Sequence, residues 1–188
     1  KLKFLSVMFL LLFARGCDFY STSLWIFQEG GLEHETNPLT QIFGVGWNGL
    51  VMVNVIVVAL LSYCFYIYMF KYKVSATLSL IPETAIQYAS ILYYGQKNKI
   101  WKLLYKIPKN KKVLIAHAGY VMTIVIIVGG FLATIHNLCQ YYGLNFYNEF
   151  RNAVGRPLFV IYGLIVVTLI LAYRNLFISE YKKYKKIN

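Results

Sequence analysis

The sequence predicts an all-α integral membrane protein, with four transmembrane helices and an interfacial basic amphipathic helical segment between the second and third. Three observations carry this. Of the 188 residues, 59% are hydrophobic and only 14% charged, against about 25% charged in an ordinary soluble domain, and the mean hydropathy is +0.54. Apolar runs close to the ~20 residues that cross a bilayer recur four times. The 19 Lys and Arg are also distributed very unevenly along the chain, which a membrane orientation explains.

The first span is expected at about residues 2–27. Its opening, KLKFLSVMFLLLF, also has the basic start and short apolar core of a signal peptide. The ARGC that follows is a poor lipoprotein box, because Arg15 stands where a small residue is needed, so an uncleaved helix is expected. Spans two, three and four are expected at about 50–70, 113–135 and 157–177, in a single membrane domain covering 1–188.

Orientation follows from the cations. All but three of the 19 Lys and Arg lie at the two termini or in the 71–112 segment, the exceptions being Arg15, Arg151 and Arg156. The positive-inside rule therefore puts both termini and the 71–112 segment in the cytoplasm, with 28–49 and 136–156 as outer loops. The +12 net charge belongs to lysines that flank apolar runs, where anionic lipid headgroups attract them, and is not a nucleic-acid signature.

Residues 74–112 are expected to be the interfacial segment. Glu83, Gln87 and Ser90 recur at helical spacing opposite Ile81, Ala85, Tyr88 and Leu92, as in a helix lying on the membrane or packed against the bundle. A fifth span here would strand the following lysines outside. KNKIWKLLYKIPKNKK then reads as a basic amphipathic helix ended by Pro108, with Lys99, Lys102 and Lys106 directed at headgroups. Lys182, Lys183, Lys185 and Lys186 of the YKKYKK tail are expected to do the same, with Tyr181 and Tyr184 at the interface.

Few residues could carry chemistry. Arg15, Asp18 and Thr22 share one helix face. An ionisable group in a span is by default a functional candidate; here the readings are an Arg15–Asp18 intramembrane ion pair or a carboxylate that binds a proton or cation. The outer loop adds Glu33, His34, Glu35 and Asn37, with Asn37-Pro38 a helix-start signal. His136 emerges on the same side. Asp18, Thr22, Glu35, Asn37 and His136 therefore form the candidate ion or proton site, with oxygen and nitrogen donors suited to a divalent metal.

No cofactor is predicted. His117 and His136 lie roughly 28 Å apart along one helix, the spacing of a two-haem helix, but no other span offers a second histidine, and hydrogen-bonded histidines are the better expectation. Cys17, Cys64 and Cys139 have no metal-ligand spacing; Cys17 and Cys139 share the outer side, so a disulfide between them is one reading. Gly129, Gly130 and Gly119 are expected at close helix contacts, and Asn54 in a hydrogen bond across helices.

The residues D-F-Y-S-T at 18–22, Gly30-Gly31 and E-T-N-P-L at 35–39 resemble a family of small, functionally uncharacterised polytopic proteins of bacteria and archaea. Their first helix carries Asp-x-x-x-Thr, and a Gly-rich loop leads to Glu-x-Asn-Pro. The resemblance covers residues 18–39 and implies that Asp18, Thr22, Glu35, Asn37 and Pro38 are signature positions; it implies a fold and no particular chemistry.

Three function classes follow. The leading one is a structural or accessory subunit of a larger membrane complex, partnered by other subunits or by copies of itself. It rests on small size, few intramembrane polar groups and no catalytic motif: G-x-S-x-G, H-E-x-x-H and phosphate-binding loops are all missing. The second is a proton- or cation-linked transporter or channel component using Asp18 and Glu35. The third is a membrane enzyme with a metal or acid–base site at its outer face.

Overall fold

A computed structural model describes residues 1–27, 42–74 and 78–187. The described residues are helical, with no strand among them: α1 (Leu2–Ile26), α2 (Trp47–Tyr66), α3 (Ala85–Tyr94), α4 (Lys111–Tyr141), α5 (Asn145–Val154) and α6 (Pro157–Ile187). Three helices are long and apolar enough to cross a membrane, over Trp47–Lys71, Lys111–Tyr141 and Pro157–Ile187. α1 is a 25-residue helix whose apolar run is interrupted by Arg15 and Asp18.

The helix ends are written in local chemistry. α2 continues into a π-helical turn, Ile67–Lys71, where the amide of Tyr72 reaches back five residues to the carbonyl of Ile67 at 2.8 Å. α3 starts with a reciprocal cap. The Thr84 hydroxyl accepts from the Gln87 amide at 3.2 Å, and the Gln87 side chain accepts from the Glu83 amide at 3.0 Å. It ends at Gly95, whose φ of 69° is left-handed. Asn110 caps α4, its side-chain oxygen accepting from the Val113 amide. α6 opens on Pro157, whose missing N–H costs nothing at a first helical position.

The chain forms two compact units. One comprises Lys1–Leu61 and Val125–Thr168, the other Ser62–Ile124 and Leu169–Asn188; α2, α4 and α6 contribute to both. In the first unit α1 meets α2 through Arg15–Asn54 and Phe19–Trp47. It meets α4 through Ala14–Gly130 and through Ser21 and Thr22 with Asn137. Residue numbers rise together along α1 and α4 but oppose each other along α1 and α2. Hence α1 runs parallel to α4 and antiparallel to α2.

Two glycines allow close backbone approach, as expected of them. A Cβ on Gly130 would stand 3.0 Å from the Ala14 carbonyl oxygen in the first unit. In the second unit, a Cβ on Gly119 would stand 2.5 Å from the carbonyl carbon of Cys64. At Gly129 a methyl would make only ordinary contact, 3.6 Å from Ile165. The three cysteines are free thiols.

The 74–112 segment departs from expectation in detail. α3 is not a surface helix with one wet face: every residue from Tyr88 to Tyr94 is buried in the second unit. Ser90, assigned to the polar face, is buried because its hydroxyl has local work, donating to the Gln96 carbonyl and accepting from the Lys99 amide. The basic stretch after it forms one 3-10 turn, Ile100–Leu104, in place of a longer amphipathic helix. Gly95 ends α3, and Asn98, with φ of 58°, keeps the chain from resuming an α-helix directly.

Candidate functional site

The second unit holds a buried polar centre. α6 carries a stripe at helical spacing, Ala172, Leu176, Glu180 and Tyr184, all four buried. The stripe that buries apolar side chains therefore also draws Glu180 inside, to 0% exposure. His117 of α4 is likewise 0% exposed, with its Nε2 3.1 Å from Glu180 Oε2. Tyr72, placed just past the π-helical turn, donates its hydroxyl to the same oxygen at 2.6 Å. Tyr93 of α3 meets His117 Nδ1 at 2.7 Å. The imidazole is ringed by aromatics, with the Tyr72 ring edge-on at 5.1 Å, Tyr93 at 5.6 Å and Phe177 at 6.3 Å.

More than one protonation pattern satisfies the three polar contacts, and the neutral-imidazole pattern is the simplest. Neutral His117 with its hydrogen on Nε2 donates to Glu180, accepts the Tyr93 proton on Nδ1, and leaves Tyr72 to donate to the carboxylate. Burial, followed by the charge of Glu180, holds the Tyr72 and Tyr88 hydroxyls well above the usual tyrosine range. Burial does the same at Tyr93, with smaller contributions from Tyr173 and Glu180. All three phenols remain protonated, so each keeps a hydrogen to donate while its oxygen can still accept.

The pattern leaves two atoms over. Glu180 Oε1 and the Tyr88 hydroxyl are buried without a well-aligned hydrogen bond among the described residues; Tyr88 lies near enough to Tyr72 and Glu180 for weak hydrogen bonds to both. An unsatisfied buried polar atom costs about 1–3 kcal/mol. A proton added to the pair has two places to go. On Nδ1 it turns Tyr93 from donor to acceptor; on Oε1 it neutralises the carboxylate. A carboxylate and an imidazole in hydrogen-bonded contact, screened from water, can thus bind and exchange a proton.

The residues singled out by sequence fare differently. Asp18 pairs with Arg15 at 2.6 Å, with side chains 15% and 20% exposed. Arg15 also donates to Asn54 across to α2 and lies 5.7 Å over the Phe19 ring. Its charge is thus met by a carboxylate, an amide and an aromatic face, which is the ion-pair reading. Thr22 and Ser21 accept from the Asn137 amide at 3.2 Å each, and Trp25 donates to the Asn137 carbonyl at 3.3 Å. His136 is bonded through Nδ1 to the Tyr147 hydroxyl of α5. No group of three or more His, Cys, Asp or Glu suited to a metal occurs among the described residues. Glu33, His34, Glu35, Asn37 and Pro38 lie outside the described residues.

The lysines expected at lipid headgroups lie in the second unit. Lys99 lies 5.9 Å over the Trp101 ring, Lys102 donates to the Gln96 side chain at 3.0 Å, and Lys185 lies 4.9 Å over Tyr181. Lys106, Lys182, Lys183 and Lys186 are exposed. The tail is not a separate interfacial strip: α6 runs on to Ile187, and Tyr184 is buried against Tyr88 at 5.5 Å.

Sequence reasoning missed Glu180, Tyr72 and Tyr93; it expected His117 to be hydrogen-bonded, as it is, without pointing to these partners. A signal existed. Glu180 is the only acid after Glu149, and it falls in step with Ala172, Leu176 and Tyr184. Comparison of the chain with family models, with curated proteins and with solved structures finds no match.

Proposed function

We propose that the chain is a four-span integral membrane protein, cytoplasmic at both termini, that binds and passes protons as a component of a membrane transport system. Glu180 and His117 are its proton-binding centre. The observation that carries the reading is the burial of Glu180 at 0% exposure beside an equally buried His117, hydrogen-bonded to it. A carboxylate removed from water is costly to ionise, and a buried acid beside a buried imidazole is a candidate for proton exchange. The transport reading moves from Asp18, whose charge is met by Arg15, to Glu180. Four spans are supported by the length of α1 and by its parallel course with α4 and antiparallel course with α2. The short motifs of residues 18–39 support the same polytopic class.

Proteoliposomes carrying a trapped pH dye test this directly. Proton flux is expected in the wild type, lost in Glu180→Gln and retained in Asp18→Asn. Flux that persists in a folded Glu180→Gln protein removes the proposal. Infrared spectroscopy supplies a readout independent of flux: a buried-carboxyl band present in the wild type and absent in Glu180→Gln.

A second reading, an accessory subunit of a larger complex, has one observation in its favour. Only 11% of the apolar window is buried in Trp47–Lys71 and in Pro157–Ile187, against 33% in Lys111–Tyr141. Two helices thus leave most residues of their apolar windows at least partly uncovered, for lipid or for partner helices. Stoichiometric co-purification with other membrane proteins in mild detergent would favour it, and a monodisperse homo-oligomer would count against it.

A further inference from the structure

Between residues 113 and 173 the only Lys or Arg side chains are Arg151 and Arg156, and both line one cavity of about 540 Å³ in the first unit. Gly155 brings them there. Its φ of 72° closes α5 and lets a two-residue turn pass into α6, so the last turn of one helix and the approach to the next share a wall. The remaining wall mixes aromatic and polar groups, among them Trp25, His136, Phe159 and Tyr162, and among the described residues no acidic side chain lines it.

Among the described residues, the two arginine charges facing this space are not paired with an acid. The unit's one Arg–carboxylate pair among the described residues is Arg15–Asp18, and neither Arg151 nor Arg156 has an acidic partner among them. Arg156 lies 5.9 Å over the Phe159 ring, which supports the guanidinium face and leaves its N–H edges available. His136 is 8% exposed and uses Nδ1 on Tyr147; its other ring nitrogen has no partner among the described residues. Asn137 is fixed from α1 by its bonds to Ser21 and Thr22, and this anchors the α4 side of the wall. The volume falls in the range of small-molecule sites, roughly 300–1,000 Å³, which combine apolar walls with a few converging polar groups.

We propose that this cavity binds a small organic anion, a carboxylate or phosphate carried on an apolar or aromatic body. Arg151 and Arg156 hold the oxyanion, His136 supplies a further hydrogen bond, and Trp25, Phe159 and Tyr162 enclose the body. Arginine suits this task because its planar fork matches oxyanions with two parallel hydrogen bonds, which lysine cannot do. The inference rests on the first unit alone and stands whether or not Glu180 handles protons. The same chemistry fits a phospholipid headgroup or a soluble anion, and the test separates them.

Calorimetric titration of the detergent-purified protein with 1-naphthyl phosphate and 1-naphthoate is the measurement, with neutral 1-naphthol as control. At least one anion is expected to bind saturably, at one site, tenfold or more tighter than 1-naphthol. Arg151→Gln and Arg156→Gln should each weaken it tenfold or more with a melting temperature near wild type. Arg151→Lys, which keeps the charge but loses the fork, should fall between and serves if the glutamine variants fold poorly. Phosphatidylglycerol retained at one per chain through purification, lost in the double glutamine variant and displaced by 1-naphthyl phosphate, would assign the site to a headgroup. Binding of the soluble anions to lipid-free protein would assign it to a soluble ligand. Equal affinity for 1-naphthol, unchanged affinity in the double variant, or neither anion binding nor retained lipid would overturn the proposal.

Discussion

His117 on α4 and Glu180 on α6 stand 3.1 Å apart, Nε2 to Oε2, and neither side chain reaches solvent. Such a pair has an asymmetric energy ledger. Making it gains little over an apolar pair of the same shape, because two polar groups must leave water. Breaking it from one side strands the other. Glu180→Ala should therefore cost roughly 3–5 kcal/mol, read as a lowered melting temperature in detergent. Glu180→Gln, which can still accept from Tyr72, should cost less. A double-mutant cycle with His117→Ala should return a coupling well above the about 0.3–0.5 kcal/mol scatter of independent sites.

Gly119 and Cys64 give the second expectation. A methyl at 119 would stand 2.5 Å from the Cys64 carbonyl carbon and 2.6 Å from its Cβ and oxygen. Backbone cannot rotate out of the way as a side chain can. Gly119→Ala should destabilise by about 1–3 kcal/mol or more through forced separation of α2 and α4. Gly16, inside α1 with nothing within 4 Å of its virtual Cβ, is the control. There alanine should be neutral or stabilise by about 0.5–1 kcal/mol through helix propensity. Thermal melts of the two variants side by side check both signs.

Glu83 provides a pH expectation. A hydrogen bond from Lys97 at 2.8 Å, with its charge, holds the Glu83 carboxyl below the usual carboxylate range. A group lowered on folding contributes stability that is fully present above its unfolded pKa, about 4.3 for glutamate. That contribution fades as pH falls through the folded value. The pair is exposed, so the effect is small and local. Hydrogen-exchange protection of the 83–97 segment, taken against the intrinsic rate at each pH, should fall on acidification below about pH 4.3, and Glu83→Gln should abolish that dependence while lowering protection at neutral pH. A dependence that survives in Glu83→Gln would assign it to another group.

Topology is testable with single cysteines in a background lacking the native three. A membrane-impermeant maleimide should reach Lys102→Cys only from the cytoplasmic face and Asn148→Cys only from the opposite face. Labelling of Lys102→Cys from outside would place the 71–112 lysines on the wrong side and undo the orientation.

What could be read in advance, and what could not, divides along physical lines. Long apolar runs reveal helices because the bilayer leaves the backbone few alternatives, and the runs at 50–70, 113–135 and 157–177 all lie within observed helices. Gly119 and Gly130 were legible for a related reason: small residues in such helices have few uses besides close contact. The Arg15–Asp18 pair was legible because charges at three-residue spacing in an apolar helix have few other partners. Glu180 was obscured by its neighbours. Four lysines within six residues after it made the stretch read as a wet tail, and composition outweighed the stripe of Ala172, Leu176 and Tyr184. α3 misled in the opposite way. Its polar residues were counted as a solvent face, whereas Ser90 was polar in order to tie down the Gln96–Lys99 turn. Neither error concerns helix formation; both concern which side of a helix meets what, and that depends on partners distant in sequence.

The π-helical turn at Ile67–Lys71 has a consequence for the lineage as well as the molecule. Widening one turn from four residues to five accommodates a single extra residue without breaking the hydrogen-bond ladder, and the chain leaves the helix immediately afterwards in extended backbone at Tyr72. The Tyr72 hydroxyl is the one that finds Glu180. Five residues in such a turn carry the chain about as far around the axis as four in an ordinary turn. A sequence one residue shorter across 67–71 can therefore still present its phenol to the acid, so chain length is free to vary here while the centre is kept.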